Sequence, residues 1–200
     1  LELRRNGAES IAASGRMIGS RIPKLIDPAA RLAAMDEQGV DRQWVSPSPN
    51  HFYPWAPEGL GVWTAMEANR LIAEHVATAP DRLVGLGLIP LQHPERIVEC
   101  LDDAVLGRGL AGVEVSSFAG DVEASDARLE PFWARAAELG VEQRFDTEVD
   151  DYASVTAGAD LVIACDGLRS KIRARHEAVF KPSLDVRACR YIWLGTKKRY

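Results

Sequence analysis

LVGLGLIP, at residues 83–90, is the stretch of sequence that decides the fold of this chain. Residues 83–89 form a continuous apolar run, and Pro90 bounds it. The run is short for a helix, and it lacks the alternation of apolar and polar residues that a half-exposed strand shows. It therefore predicts a strand that is buried on both faces.

Helices and strands alternate on both sides of this run. A helix with an apolar stripe is predicted over 61–78, and Pro94 opens another helix after the run. Asp27 and Pro28 are typical of a helix start and Gly39 of a helix end. Further elements are predicted as a helix over 27–39, strands over 40–46 and 111–115, and a helix around 129–139. This alternation implies a parallel sheet in an α/β architecture, with ligands at the carboxyl ends of the strands.

The two ends of the chain differ from this middle part. Residues 1–26 contain Gly7, Gly15 and Gly19 without sustained periodicity, so we predict irregular structure there. After Gly140 we predict a strand over 143–149, a polar connection over 150–159, a buried strand over 161–164 that leads into a helix, and a strand over 186–194. We therefore divide the chain into segments 1–26, 27–141 and 142–200.

The composition excludes several classes of protein. The formal net charge is −5, whereas a surface for duplex nucleic acid needs clustered lysine and arginine to neutralise phosphates. The three cysteines, Cys100, Cys165 and Cys189, lie far apart, so neither a disulfide framework nor a zinc knuckle is indicated. The sequence contains no run of about 18 apolar residues, which is what would predict a membrane span. We expect a soluble cytoplasmic protein without nucleic-acid or membrane partners.

Residues 27–141 resemble the amidohydrolase-related family that contains aminocarboxymuconate-semialdehyde decarboxylase. The likeness is carried by RLAAMDEQGVD at 31–41, NRLIA at 69–73, PDRLVGLGLIPL at 80–91 and GLAGV at 109–113. The resemblance implies a (β/α)8 TIM barrel with an active-site metal, usually zinc, where the strands end. In this sequence those strand ends would be Ser46-Pro47, Pro90 and Ser116-Ser117.

The metal ligands that the resemblance implies are absent from the sequence. The family holds its metal with a His-x-His pair on the first strand, histidines on the fifth and sixth strands, and an aspartate on the eighth. The chain would begin after that first strand, and its fifth strand is replaced at Glu142 by an unrelated sequence. We therefore predict a partial barrel with no assigned metal ligand and no assigned catalytic residue.

The four histidines form no His-x-His pair. His51 could lie near a substrate, but we favour a loop histidine with surface hydrogen bonds. His75 is interpreted as a helix-face residue and His93, before Pro94, as a helix cap.

Residues 142–200 are similar to FAD-dependent aromatic hydroxylases of the para-hydroxybenzoate hydroxylase type. The likeness is carried by ADLVIACDGLRSKIR at 159–173, an apolar strand followed by Asp-Gly, two residues, Ser, two residues and Arg. FDTEV at 145–149 and RYIWLGT at 190–196 look most like the branch that acts on CoA thioesters, the salicylyl-CoA or 2-aminobenzoyl-CoA hydroxylases. The resemblance implies a fragment of a Rossmann-like FAD-binding domain, in which Asp166 and Gly167 line the cofactor while Ser170 and Arg173 support the turn and helix. The alternative is an ordinary strand-to-helix turn, since these residues lack the GxGxxG motif that binds the ADP half of FAD.

Four functional hypotheses follow. The first is a mosaic of an amidohydrolase-type hydrolase or decarboxylase fragment and an FAD-dependent monooxygenase fragment, related to aromatic-compound breakdown and not catalytically competent as it stands. The second is a metal-dependent amidohydrolase or decarboxylase completed by a partner chain, and the third is an aromatic-ring hydroxylase that depends on FAD and NAD(P)H. The fourth is a non-enzymatic interaction module built on the aromatic loop 51–55. The resemblances imply a small aromatic or CoA-thioester substrate, and exposed sheet edges predict an oligomer or aggregate.

Overall fold

The computed structural model describes residues 7–19, 21–144, 147–167 and 169–183. The chain divides into two compact units, Leu1–Gln143 and Arg144–Tyr200. The first unit contains helices α1 (Ala8–Gly19), α2 (Ile22–Ile26), α3 (Pro28–Gln38), α4 (Glu58–Ala77), α5 (Ile97–Asp102) and α6 (Glu130–Glu138). Its strands are β1 (Gln43–Val45), β2 (Leu83–Leu88), β3 (Gly112–Glu114), β4 (Phe118–Ala119) and β5 (Val122–Glu123).

The predicted parallel sheet is confirmed. Strands β1, β2 and β3 are neighbours in that order, and both pairs are parallel. Gln43 lies opposite Leu83 in the first pair, and Leu86 lies opposite Gly112 in the second. Strands β1 and β3 are shorter than the ranges 40–46 and 111–115 that the sequence predicts. The small antiparallel hairpin of β4 and β5 was not predicted.

Helix α3 has the ends that its sequence predicts. The Asp27 carboxylate accepts a hydrogen bond from the Ala29 amide at 2.9 Å, and Pro28 occupies the first turn. Gly39 adopts a left-handed backbone with φ of 66°, which ends the helix in the conformation that glycine reaches without strain. Both caps are local, so the sequence alone was enough to place them.

Helix α4 approaches strand β2 unusually closely. A Cβ atom at Gly87 would lie 2.8 Å from both Ala104 Cβ and Asn69 Oδ1, and one at Gly85 would lie 2.6 Å from Leu110 Cδ2. The missing side chains therefore let the helix layer rest directly on the strand.

The contact between helix and strand is completed by Asn69, which is fully buried. Its Oδ1 accepts a hydrogen bond from the Leu88 amide at 2.6 Å, and its Nδ2 donates to the Leu88 carbonyl at 3.2 Å. A side-chain amide thus satisfies both backbone groups of the last residue of β2, as buried polar groups require.

The main hydrophobic core lies around the end of β2 and between α4, α5 and α6. Its most deeply buried members include Leu88, Leu91, Ile97, Cys100, Leu129 and Phe132. Burial raises the pKa of the Cys100 thiol to about 12, so this cysteine stays protonated and behaves as a core residue. A second cluster of Met35, Val45 and Leu83 joins α3 to β1 and β2.

The prediction of irregular structure over 1–26 was wrong for the described residues. They form helices α1 and α2. Glycine costs a helix only about 1 kcal/mol relative to alanine, so Gly15 inside α1 is tolerated among good helix formers.

The second unit contains the short helices α7 (Tyr152–Thr156), α8 (Lys171–Arg175) and α9 (Glu177–Phe180). The predicted buried strand over 161–164 was wrong: these residues are not in a strand, and Leu161 and Ile163 are 64% and 70% exposed. An extended segment needs a neighbouring strand, and residues 144, 147–167 and 169–183 supply none. The described part of this unit therefore forms no Rossmann-type sheet.

Three further predictions concern this end of the chain. The strand over 143–149 was wrong for its described residues, and positions 145 and 146 lie outside them. The polar connection over 150–159 contains helix α7. The strand over 186–194 lies outside the described residues.

The close approach of α4 to β2 can be tested with matched glycine variants. Gly87→Ala should destabilise the fold by about 1–3 kcal/mol, because its Cβ would overlap Asn69 and Ala104. Gly112→Ala, in the neighbouring strand, should leave stability nearly unchanged, because its Cβ would meet Leu86 at an ordinary 3.6 Å. Urea unfolding midpoints measure both, and equal midpoints would contradict the packing described.

Candidate functional site

A cavity of about 390 Å³ lies at the carboxyl ends of β2 and β3, where the α/β architecture predicts a ligand site. Its walls come from the segments that follow the strands and from the loop after β1. The lining includes Phe52, Leu91, Gln92, Glu114, Ser116 and Phe118. The predicted strand end Ser116-Ser117 therefore reaches a cavity.

The polar groups of this cavity lie among apolar walls. Glu114 is the last residue of β3, and Ser116 follows it by two positions. Gln92 lies just beyond β2, with Ile89 and Leu91 beside it in the wall. A carboxylate, hydroxyls and an apolar floor suit a small ring that carries hydrogen-bonding substituents.

The loop over residues 46–57 closes one side of the cavity and is held by two side chains from beyond β2. Gln92 Nε2 donates to the Tyr53 carbonyl at 3.2 Å, and His93 Nε2 lies 2.9 Å from the carbonyl oxygen of the buried Ala56. Tyr53 adopts a positive φ of 40°, which strains a residue that has a side chain. The hydrogen bonds from Gln92 and His93 therefore hold the loop in this strained conformation.

The histidines take different roles from one another. His93 occupies the N-cap position of the short 3-10 helix Pro94–Arg96, as its interpretation as a helix cap predicted, but its side chain makes no capping hydrogen bond. His51 is exposed in the loop, as a surface histidine would be. His75 is half-buried on α4, as predicted, and burial, followed by the charge of Arg31, lowers its pKa.

A metal site is not formed by the described part of the chain. No three His, Cys, Asp or Glu side chains within it lie close enough to hold an ion. Those residues therefore do not fit the zinc that the first resemblance implies.

The structure brings the four residues of the predicted FAD motif into one turn of the second unit. Ser170 is buried, and its Oγ accepts a hydrogen bond from the Arg173 amide at 2.8 Å. Asp166 Oδ2 accepts one from the Ile172 amide at 3.3 Å, and Gly167 has a positive φ of 79°. The Ser170 hydroxyl, above all, holds the pKa of Asp166 below its usual range.

This turn is already capped by its own carboxylate. The Asp166 side chain occupies the amide end of the five-residue helix α8, where the motif would direct a pyrophosphate. A cavity of about 500 Å³ lies beside the turn, with Tyr152 and His176 in its wall. A diphosphate would have to displace Asp166, so the described residues do not fit FAD at this helix.

Residues 21–144 can be assigned to a family. Residues 21–144 match the protein family described as Amidohydrolase, so the chain belongs to the amidohydrolase family. A relative is the 2-amino-3-carboxymuconate-6-semialdehyde decarboxylase of Dictyostelium discoideum, 31% identical over 114 residues, which are 57% of this chain and 32% of that protein. The predicted resemblance to the decarboxylases of this family is confirmed.

A solved structure shares this part of the fold. The dihydroxybenzoic acid decarboxylase of Polaromonas sp. JS666, crystallised with manganese and the inhibitor 2-nitroresorcinol, matches with a TM-score of 0.52 and 27% identity. The match covers 64% of this chain and 41% of that one. The chain spans about a third of the length of the curated decarboxylases it matches.

A different enzyme matches a shorter stretch. The salicyloyl-CoA 5-hydroxylase of a Streptomyces species is 40% identical over 62 residues, which are 31% of this chain and 12% of that protein.

Among the helices of the described residues, none combines the length and the hydropathy that a membrane span needs.

The sequence reasoning missed Glu114 and Gln92 as site residues. The available signal was their position at or just beyond the ends of two predicted buried strands. Neither residue belongs to a motif, so the sequence does not distinguish this acid and this amide from the other polar residues of the chain.

The role of His93 in holding the loop can be tested by limited proteolysis. His93→Ala removes the partner of the Ala56 carbonyl, so cleavage within residues 46–57 should accelerate by about fivefold, the factor that corresponds to one hydrogen bond of about 1 kcal/mol. His51→Ala, in the same loop but exposed, should leave the cleavage rate unchanged. Equal rates for the two variants would show that His93 does not hold the loop.

Proposed function

We propose that the first unit forms the aromatic-acid-binding wall of a metal-dependent decarboxylase of the amidohydrolase family. The observation that carries this proposal is the cavity at the carboxyl ends of β2 and β3, in which Glu114 and Ser116 face apolar side chains. Membership of the family and the similarity to decarboxylases of aromatic and carboxymuconate acids support it.

The cavity suits a single hydroxylated ring that carries a carboxylate. Its volume of about 390 Å³ lies within the range of small-molecule sites. A phenolic hydroxyl would donate to the Glu114 carboxylate, and the hydroxyl groups of Ser116 and Ser117 would donate to the substrate carboxylate. If the substrate carboxylate lay against Glu114 instead, two carboxylates would be in contact, which Coulomb repulsion disfavours. Phe52 and Leu91 would cover the ring.

Catalysis needs residues beyond those that form this wall. The described residues contain no cluster able to hold a metal, so the proposed decarboxylase depends on ligands from elsewhere, such as a partner chain. Taken by itself, the described wall binds an aromatic acid and does not turn it over.

The proposal for the second unit is descent from a flavin-dependent aromatic hydroxylase. The similarity to the Streptomyces salicyloyl-CoA hydroxylase supports it, as does the division of the chain after Gln143, near residue 144 where the amidohydrolase match ends. A mosaic of these two segments would be related to aromatic-compound breakdown. Asp166 and Gly167 would be inherited cofactor residues, and a CoA thioester would be the inherited substrate class.

The second unit is proposed to descend from a flavin-dependent hydroxylase without binding flavin itself, and this can be tested on the purified full chain. Because Asp166 occupies the amide end of α8, we expect no flavin absorption spectrum and no quenching of FAD fluorescence when FAD is added. Free FAD with bovine serum albumin serves as the negative control. A yellow protein that retains FAD through gel filtration would contradict this expectation.

The aromatic-acid site can be tested with 2-nitroresorcinol as the probe, using calorimetry on the full chain. Glu114→Gln should weaken binding by about tenfold or more, because hydrogen bonds to a charged group are the stronger ones. Glu123→Gln, an exposed acid of the nearby hairpin, is the matched control and should bind as the unchanged protein does.

Two results would contradict this proposal. Equal affinities of the Glu114→Gln and Glu123→Gln proteins would place the probe elsewhere. Stoichiometric metal in the purified chain, together with release of carbon dioxide from an aromatic acid, would show that the chain is a complete decarboxylase.

A further inference from the structure

A second and larger cavity, of about 1050 Å³, lies in the first unit, and the loop after β1 separates it from the proposed aromatic-acid site. Helix α4 forms one wall, and α2, α3 and the end of β1 form the others. We call this cavity the α4 groove. It shares no lining residue with the first cavity, because alternate residues of the loop after β1 face the two spaces: Phe52 and Pro54 line the first, whereas Tyr53 and Trp55 line the α4 groove.

The apolar wall of the α4 groove is exposed. Trp63 and Leu71 of α4 line it and are 62% and 51% exposed, and Leu60 continues the same surface one turn earlier. Trp55 adds a second indole from the loop. Aromatic walls of this kind favour flat apolar ligands, and an exposed apolar surface that lines a cavity is typical of a binding site.

Arg31 places an uncompensated positive charge in the groove. Its Nη1 donates to Gln43 Oε1 and its Nη2 to the Leu25 carbonyl, both at 2.7 Å, and both acceptors are neutral. The described residues offer no hydrogen-bond partner to its Nε. In the part of the chain that the structure describes, Arg31 forms no ion pair, whereas Arg70 and Arg96 each bind two carboxylates.

The described groups around Arg31 do not neutralise its positive charge. Burial lowers the pKa of the Arg31 guanidinium, but arginine keeps its charge at neutral pH. His75 lines the same groove, and burial followed by the Arg31 charge lowers its pKa. Its buried Nε2 has no hydrogen-bond partner among the described residues. Among the described residues, Glu67 is the one acid in the lining, and Arg70 binds it at 2.6 Å, so its charge is already neutralised.

We propose that the α4 groove binds an aromatic monocarboxylate, with the carboxylate at Arg31 and the rings along Trp63 and Leu71. Charge complementarity selects the anion: a carboxylate supplies the counter-charge that Arg31 lacks in the described structure, and a half-buried pair is screened by water less than a surface pair. The volume accommodates ligands larger than the single ring proposed for the first cavity. This proposal does not depend on the proposed decarboxylase function.

Calorimetry of the full chain with two matched probes tests the proposal. The probes are 2-naphthoate and its neutral amide, 2-naphthamide, which have the same rings and differ in charge. The unchanged protein should bind the acid about tenfold more tightly than the amide, the factor expected for a charge-assisted hydrogen bond.

Three variants separate the contribution of charge from that of the apolar wall. Arg31→Gln should weaken naphthoate binding by about tenfold and leave naphthamide binding unchanged, which also shows that the variant is folded. Leu71→Ala should weaken both probes equally, because it removes apolar contact alone. Arg96→Gln removes the same charge outside the groove and should change neither affinity.

Any of three results would overturn the proposal. Equal binding of acid and amide by the unchanged protein would remove the role of charge, and equal losses of both probes in Arg31→Gln would make Arg31 a structural residue. If sedimentation shows a dimer that dissociates on Leu71→Ala, while neither probe binds, the occupant of the groove is a second copy of the chain.

Discussion

The buried amide of Asn69 and the two glycines of β2 fix how helix α4 lies on the sheet. The amide bonds to both backbone groups of Leu88, so it sets the height of the helix relative to the end of the strand. Gly85 and Gly87 set the distance, since a Cβ atom at Gly85 would lie 3.0 Å from Ile72 Cγ2 of α4 and one at Gly87 would lie 2.8 Å from Asn69 Oδ1. Both cavities inherit this geometry, because β2 leads into the wall of one and α4 forms the wall of the other.

The loop after β1 is the partition between the two cavities. Gln92 and His93 hold it through the carbonyls of Tyr53 and Ala56. Because adjacent loop residues face opposite spaces, a movement of the loop that enlarges one cavity narrows the other. The same two side chains therefore control the shape of both sites.

The sequence predicted those features whose causes are local. The strand over 83–88, the caps of α3 and the helix order follow from short patterns, and each is present. The strand over 161–164 failed because its apolar pattern needs a neighbour that the described residues do not provide. The hairpin of β4 and β5 was missed for a related reason: its strands have two residues each, too few to show a period.

The site residues that the sequence predicted are likewise those whose signal is local. The turn at Asp166 and Ser170 was found because its residues lie close together in a motif. Glu114 ends β3 and Gln92 lies just beyond β2, so their only signal in the sequence is the end of a predicted strand, and neither belongs to a motif. The lack of a carboxylate partner for Arg31 among the described residues is a property of the folded chain, since only the structure shows which arginines form ion pairs.

Tyr53 links the backbone strain described above to the two cavities. A non-glycine residue in the left-handed region costs about 1–2 kcal/mol, and Tyr53 retains its ring in the wall of the α4 groove, 5.5 Å from that of Trp55. A glycine at this position would relax the backbone but remove part of that wall. At this residue a change that raises thermostability therefore lowers ligand affinity. Selection for thermostability alone would remove part of the groove wall.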